Sequence, residues 1–227
     1  GNMTLRPHSI VYEVVFDEGS GLATGVRVID TETHEKLEFR ARLIFLCACA
    51  MASVGILLQS RSQRFPEGIG NNHDQLGRHI MDHHYKLGAS ANVPGHQDTY
   101  YKGRRPNGFY IPRFVNLEGQ PKKEYLRGFG YQGGASRTDW SEAVAELGYG
   151  AQLKEGILKP GQWRIGATGF GEMLPYFDNR VRLSRTEKDQ WGLPQLDFDV
   201  EFRENEYKMR EDIVRQIRKM FEAAGFT

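Results

Sequence analysis

The sequence predicts an α+β fold, and three observations support this fold class. Residues 9–16 (SIVYEVVF) and 23–30 (ATGVRVID) are rich in β-branched and aromatic side chains, and a glycine-bearing turn separates them. Residues 194–202 alternate apolar and acidic side chains, which is the period of a strand with one solvated face. An amphipathic pattern over residues 204–224, with an apolar stripe from Tyr207 to Phe221, predicts a long helix that ends at Gly225.

The first part of the chain is predicted to be a three-stranded meander followed by a buried strand and a helix. Residues 36–42 supply the third strand, and residues 43–46 (LIFL) form a continuous apolar run typical of a strand buried on both faces. The small residues 47–50 then lead into a helix over residues 51–58. Ligands of open α/β sheets bind just past the carboxyl ends of such strands. The turn at residues 47–50 is therefore a candidate ligand site, with an ordinary strand–helix junction as the alternative.

From residue 86 the pattern changes and predicts a second domain, with the boundary near Tyr85. The two domains are thus residues 1–85 and 86–227. Strands are predicted at residues 86–93, 109–114, 126–132, 162–173 and 180–184, and a helix at residues 138–147. The glycines at 166, 169 and 171 lie inside a strand with no helix after them. We therefore interpret them as strand glycines that permit close approach of a backbone or a flat ligand, and not as a phosphate loop.

Composition limits the function classes. Hydrophobic residues make up 39% and charged residues 26%, and the net charge of +1 gives no reason to expect a nucleic acid or an anionic membrane as partner. No window approaches the roughly 18 apolar residues of a membrane span. The start of the sequence lacks the apolar core of a signal peptide. The two cysteines, Cys47 and Cys49, lie in an apolar run and are predicted to be small buried hydrophobes. We expect a cytoplasmic protein, with a periplasmic location left open.

Histidines and tyrosines supply the candidate site residues. His79 and His83 are four residues apart and would share one face of a helix, as a zinc pair does, but no Glu or third ligand completes the motif, so no metal site is assigned. Asp82 next to His83 is a candidate orienting pair for acid–base chemistry. Tyr100, Tyr101 and Tyr131 are candidates for stacking on a sugar or alcohol, with ordinary packing as the alternative.

Four motifs follow one another along the chain. The first joins residues 2–5 (NMTL) with Val11, Val14 and residues 23–26 (ATGV), and the second is residues 41–60. The third is residues 76–83 (LGRHIMDH), and the fourth is residues 172–183, before an Asp-x-x-Gly-x-Pro pattern that ends at Pro194. In this order and spacing the motifs resemble the glucose–methanol–choline (GMC) family of flavin-dependent oxidoreductases, most of all its bacterial sugar- and alcohol-dehydrogenase-like members.

The resemblance implies FAD as cofactor and an alcohol or a sugar as substrate. In such enzymes a histidine base takes the hydroxyl proton while a hydride passes to the flavin. It implies that residues 1–85 are a remnant of the FAD-binding domain and residues 86–227 the substrate-binding domain, an antiparallel sheet flanked by helices. The residues implied to lie near the cofactor are Val11, on the adenine side, Cys47, Ala48, Cys49, Ala50, Asp82 and His83.

The sequence also departs from the family pattern. No G-x-G-x-x-G turn precedes Asn2, the catalytic histidine segment would lie beyond Thr227, and Cys49 stands where the family usually has glycine. We therefore expect a central part of a GMC-type protein that alone neither oxidises alcohols nor holds FAD tightly. Residues 43–46 and 56–58 would then be partly exposed and would favour a homo-oligomer. The alternatives are a non-enzymatic α+β module that binds a carbohydrate or a partner chain, and a zinc hydrolase that uses His79 and His83.

Overall fold

The chain folds into two units, each assembled from two separate segments. The computed structural model describes residues 1–84, 86–96, 108–137, 149–158 and 161–227. The first unit is Gly1–Ile80 with Pro175–Glu201, and the second is Met81–Leu174 with Phe202–Thr227. The predicted boundary residue Tyr85 lies outside the described residues. The hairpin segment 175–201, predicted to lie in the second domain, is part of the first unit.

Nine strands and three helices are assigned in the described residues. In chain order they are β1 (Ser9–Asp17), β2 (Leu22–Asp30), β3 (Lys36–Arg40), α1 (Ala50–Gln59), β4 (Leu87–Val93), β5 (Gly108–Ile111), β6 (Phe129–Arg137), α2 (Ala151–Leu158), β7 (Trp163–Gly171), β8 (Arg180–Lys188), β9 (Pro194–Asp199) and α3 (Glu204–Ala223). This mixture of helices and antiparallel sheets confirms the predicted α+β class. The helix α2 was not predicted from the sequence, and the predicted helix at residues 138–147 lies outside the described residues.

The first unit begins with the predicted meander, in which β1, β2 and β3 pair antiparallel in that order. Side chains close its turns, because the Asp17 carboxylate accepts a hydrogen bond from the Ser20 amide at 2.7 Å and Asp30 accepts from two amides after it. The helix α1 packs against β1 and β8. The hydroxyl of Ser60, just after α1, accepts from the Val14 amide at 2.7 Å and ties the helix end to β1.

The predicted buried strand at residues 43–46 is wrong. These residues form no strand, and the side chains of Leu43 and Phe45 are 77% and 83% exposed. The physical reason is that an apolar run becomes a buried strand only when neighbouring strands pair with it, and in the described part of the chain none does. Cys47 and Cys49 are exposed as well, so their predicted burial is also wrong. Ile56 and Leu58, by contrast, are buried although we expected them to be partly exposed.

The hairpin of β8 and β9 completes the first unit. Its strands pair antiparallel, with Arg180 opposite Asp199. Leu196 approaches Gly55 of α1, where an added Cβ would lie 3.4 Å from a leucine methyl. Phe198 and Val200 were predicted to share a buried face with Leu196, but both are exposed. The alternating pattern therefore predicts the strand correctly and its covered face only in part.

The second unit is an antiparallel sheet with a helix against it. The strand order is β4-β7-β6-β5, and α3 packs on β4 and β7. The core combines aromatic residues of the sheet side with the inner face of α3: Val115, Tyr125, Phe129, Tyr131, Ala167, Met209, Ile213, Ile217 and Phe221. Tyr207, predicted to lie in the apolar stripe of this helix, is 57% exposed.

Two glycines of β7 let α3 approach the sheet. A Cβ on Gly169 would lie 2.3 Å from a methyl of Ile213, and a Cβ on Gly171 would lie 2.6 Å from the sulfur of Met209. Real Cβ atoms do not approach so closely, so only glycine fits at these positions without displacing the helix. Helix side chains make the close approach at these strand glycines, and not the backbone or flat ligand that was predicted.

Two buried carboxylates fix α3. Glu206 accepts hydrogen bonds from the amides of Arg203 and Leu174 at 2.9 and 3.0 Å, which satisfies the start of the helix. Asp212 accepts from the Tyr125 hydroxyl at 2.7 Å and also bonds Arg215 and Gln216. Burial favours the neutral acid, but these bonds and the charge of Lys123 outweigh burial, so the pKa of Asp212 is lowered.

In the described residues, no helix is both long and apolar enough to cross a bilayer.

Candidate functional site

An apolar pocket in the first unit brings together three of the predicted cofactor residues. Its volume is about 360 Å³, and Val11 lines it together with Cys47 and Ala48. Val26 and Phe39 of the meander and Ile56 of α1 form further parts of the wall. The meander thus supplies one wall, and the chain that enters α1 supplies another. Cys49 and Ala50 follow directly but are not among the lining residues.

The pocket suits only part of a flavin nucleotide. All its lining residues are apolar, so they offer a surface for a flat ring system. None of them carries the positive charge that would stabilise a diphosphate. The residues present therefore fit an apolar portion of FAD, and its diphosphate needs other groups.

Cys49 has a backbone conformation that favours glycine. It is the residue before α1, with φ of 61° and ψ of 170°, a region that residues with a Cβ rarely occupy. Its carbonyl accepts the first hydrogen bond of the helix, from Ser53 at 3.0 Å. The turn into α1 thus has this conformation although the residue carries a Cβ. The resemblance marks a cysteine in place of the usual glycine here, but the strain was not predicted because a sequence alone gives no dihedral angle.

Asp82 and His83 belong to the second unit and are exposed. The chain here pairs with the end of β7, because His83 forms an antiparallel bridge to Glu172 and the Asp82 carbonyl accepts from the Met173 amide at 3.1 Å. The Asp82 carboxylate accepts from the backbone amide of His83 at 2.6 Å, not from its imidazole. The predicted orienting pair of side chains is therefore not formed. The imidazole of His83 lies edge-on to Phe170.

His79 lies in the first unit in a non-helical segment, so the helical face required for a zinc pair with His83 is absent. Its two ring nitrogens lie 3.0 Å from the Pro175 carbonyl and 3.1 Å from the Gln75 side-chain oxygen. These contacts leave neither nitrogen free for a metal ion. In the part of the chain that the structure describes, no three His, Cys, Asp or Glu side chains are grouped as metal ligands.

His84 is a buried titratable group that is not among the predicted site residues. Its side chain has no exposed surface, and neither ring nitrogen has a hydrogen-bond partner among the described residues. Burial, together with the charge of Arg210, lowers the pKa of His84 to about 4, although Glu206 acts in the opposite direction. The imidazole is therefore neutral at pH 7. Nothing in the histidine-rich sequence around it indicates which of these residues is buried.

The predicted substrate residues have different outcomes. Tyr100 and Tyr101 lie outside the described residues. Tyr131 has no exposed surface, and its hydroxyl donates to the Ile213 carbonyl at 2.6 Å. A side chain in this environment joins β6 to α3 and does not line an open pocket. At this position the structure corrects the prediction, and Tyr131 is a core residue.

Comparison with known proteins finds two dehydrogenases similar to this chain. The chain is 28% identical over 225 residues to a 2-methyl-1,2-propanediol dehydrogenase of Mycolicibacterium austroafricanum. The matched region covers 97% of this chain and 39% of that protein. The chain is 25% identical over 199 residues to the fructose dehydrogenase large subunit of Gluconobacter japonicus, covering 86% of this chain and 35% of that protein. The chain thus spans less than two fifths of the length of these relatives. No family model matches the sequence.

Proposed function

We propose that this chain is part of a GMC-type, FAD-dependent oxidoreductase that acts on CH–OH groups of alcohols or sugars. The observation that carries the proposal is the similarity, along most of the chain, to two dehydrogenases, one named for a diol and one for a sugar. The conformation of Cys49 adds support, because the position where the resemblance places a glycine has dihedral angles that favour glycine.

The chain's own residues have distinct roles in this proposal. When bound, FAD supplies the acceptor for the hydride that leaves the substrate carbon. Val11, Cys47 and Ala48 form an apolar surface for a flat part of the nucleotide, with Cys49 and Ala50 directly beside them. Asp82 and His83 are proposed to lie near the flavin, and residues 86–227 to bind the alcohol or sugar. The base that takes the hydroxyl proton is proposed to lie outside these 227 residues.

The test uses the protein expressed from the complete reading frame that contains these residues. We expect it to bind flavin and to reduce a redox dye with a diol or a sugar. Ala48→Asp places a charge in the apolar pocket and should lower the flavin content at least fivefold, because a bound flat ring would cover this carboxylate without giving it a partner. Flavin content is measured from the visible absorption of the purified protein.

The matched control is Ala52→Asp, since Ala52 is an exposed residue of α1 outside the pocket. It should leave the flavin content unchanged. A complete protein without flavin, or an equal loss in both variants, would contradict the proposal. The 227-residue chain alone is expected to be colourless and inactive, and a yellow, active sample would overturn that expectation. Sugar binding by a flavin-free protein would favour the binding module instead.

A further inference from the structure

The first unit contains a second pocket that is rich in arginine. Its volume is about 570 Å³, and it lies between β1, the chain that follows α1, and the β8–β9 hairpin. Five arginines line it: Arg61, Arg78, Arg180, Arg182 and Arg185. Leu58, Leu183 and Leu193 give it an apolar part as well. The residues predicted to contact the cofactor do not take part in this pocket.

A close backbone contact builds one wall of the arginine pocket. The Val181 amide donates to the Gly77 carbonyl at 2.7 Å, and the Ile80 amide donates to the Asn179 carbonyl at 3.0 Å. Gly77 has a φ of +80°, and a Cβ there would lie 2.4 Å from the Val181 carbonyl oxygen. Glycine is therefore required for the approach that holds Arg78 beside β8. The guanidinium of Arg78 is further fixed over the ring of Phe177.

The charges in the pocket do not balance. The five arginines face three carboxylates, Glu13, Glu67 and Asp74, which leaves an excess of two positive charges. Glu13 already pairs with Arg27, which lies outside the pocket, at 2.7 Å. Asp74 pairs with Arg78, and Arg180 lies 3.7 Å from Asp199.

Three of the five arginines form no ion pair among the described residues. The Nε of Arg61 donates to the Leu58 carbonyl at 3.5 Å, whereas Arg182 and Arg185 are exposed side chains of β8, with Arg182 in register opposite Asp197. Guanidinium groups bind phosphate and carboxylate oxygens through pairs of parallel hydrogen bonds. Pockets of 300 to 1,000 Å³ with an apolar lining and a few polar groups are typical of small-molecule sites.

We propose that the arginine pocket binds a small molecule that carries an oxyanion group, a phosphate or a carboxylate, on an apolar body. The excess positive charge attracts the anion, and Arg182 and Arg185 bind it through their guanidinium groups. The leucines contact the apolar body of the ligand. This inference goes beyond the oxidoreductase proposal and does not depend on it.

The test is calorimetric titration of the purified 227-residue chain with three probes that each contain one phenyl ring. Phenyl phosphate and benzoate each carry an oxyanion, and benzamide is the neutral control. We expect binding of at least one anion and at least tenfold weaker binding of benzamide. Comparison of the two anions distinguishes a phosphate ligand from a carboxylate ligand. Affinity should fall as salt is added, because the attraction is between charges.

Arg182→Gln combined with Arg185→Gln should weaken binding of the anion at least tenfold. Both side chains are exposed and unpaired, so we expect the variant to fold, which circular dichroism verifies. The matched control is Arg42→Gln, an exposed arginine outside the pocket, which should leave the affinity unchanged. If the double variant misfolds, Arg61→Gln is the second variant and should weaken binding of the anion. No binding of either anion, equal binding of benzamide, or an equal loss in the control would overturn the proposal.

Discussion

Cys49 carries backbone strain that glycine would relieve. In this conformation a residue with a Cβ raises the free energy of the folded state by on the order of 1 to 3 kcal/mol. Glycine removes this strain but offsets part of the gain, because it adds conformational entropy to the unfolded chain. We therefore expect Cys49→Gly to raise the free energy of unfolding by about 1 kcal/mol. Denaturant titration of the purified chain measures the change.

Cys47→Gly is the matched control for this prediction. Cys47 is also exposed, but its backbone is not among the positions with positive φ. Replacing it should therefore leave stability unchanged or lower it slightly, because glycine only adds freedom to the unfolded chain. Equal stabilisation by both substitutions would mean that removal of an exposed thiol, and not relief of strain, explains the gain.

The buried imidazole of His84 makes stability depend on pH. Its pKa is lowered from 6.5 to about 4, so the unfolded chain binds the proton more readily than the folded chain does. The contribution of the neutral His84 imidazole to the free energy of unfolding is fully present above pH 6.5 and is lost as pH falls through about 4. The free energy of unfolding should thus decrease on acidification across this window, by at most about 3 kcal/mol.

His84→Leu removes the titrating group and should flatten the pH dependence of stability between pH 4 and 6.5. The lowered pKa of Asp212 acts at lower pH and keeps its own dependence in this variant. His96→Asn, at an exposed histidine of the second unit, is the control and should keep the original slope. An unchanged slope in His84→Leu would show that other groups cause the dependence.

At the scale of elements, the packing of α3 on β7 depends on missing side chains. Gly169→Ala would place a Cβ 2.3 Å from Ile213, so the helix or the strand must shift. We expect it to lower the free energy of unfolding by about 2 kcal/mol, as overpacked cores do. Thermal and denaturant unfolding measure the loss.

Gly166 lies in the same strand, but a Cβ there would have its nearest neighbours at 4.0 Å. Gly166→Ala should therefore be neutral or slightly stabilising, because alanine has less freedom to lose in a strand than glycine. A similar loss in both variants would indicate that β7 requires glycine for its own conformation and not for the approach of α3.

Local sequence patterns predicted the strands and helices better than they predicted which residues are buried. The strands β1 and β2 and the helix α3 follow from side-chain periodicity, which a short window contains. The burial of residues 43–46 and of Phe198 depends on neighbouring elements that no window contains, and there the predictions fail. Tyr131 shows the same limit, because a tyrosine at a pocket and a tyrosine in a core have the same local sequence. For the site, the resemblance named Val11, Cys47 and Ala48, and these three residues line one pocket. That they contact a cofactor stays a prediction.

At the scale of the whole molecule, the exposed apolar residues of the first unit favour self-association. Leu43 and Phe45 are mostly exposed, and Met3 and Leu5 are as well. Leu43 and Phe45 line the same apolar pocket, and exposed apolar surface of this kind usually marks an interaction site. Leu43→Glu combined with Phe45→Glu should therefore weaken association at least tenfold, as measured by sedimentation equilibrium of the purified chain.

The control for association carries two glutamates elsewhere. Leu126→Glu with Tyr149→Glu changes two exposed residues of the second unit and adds the same charge. It should leave the association constant unchanged if the first unit forms the contact. A chain that is monomeric at all concentrations, or a loss of association in both variants, would contradict this prediction.

The interleaved order of the two units has a consequence for synthesis on the ribosome. The first unit needs the β8–β9 hairpin, which residues 81–174 separate from the rest of that unit. The second unit needs α3, whose residues 204–223 supply much of its core. Neither unit is complete until most of these 227 residues have been translated, so α1 leaves the exit tunnel without the hairpin that packs against it. Such nascent chains depend on holding chaperones, and a ribosome paused before residue 180 would present an aggregation-prone intermediate.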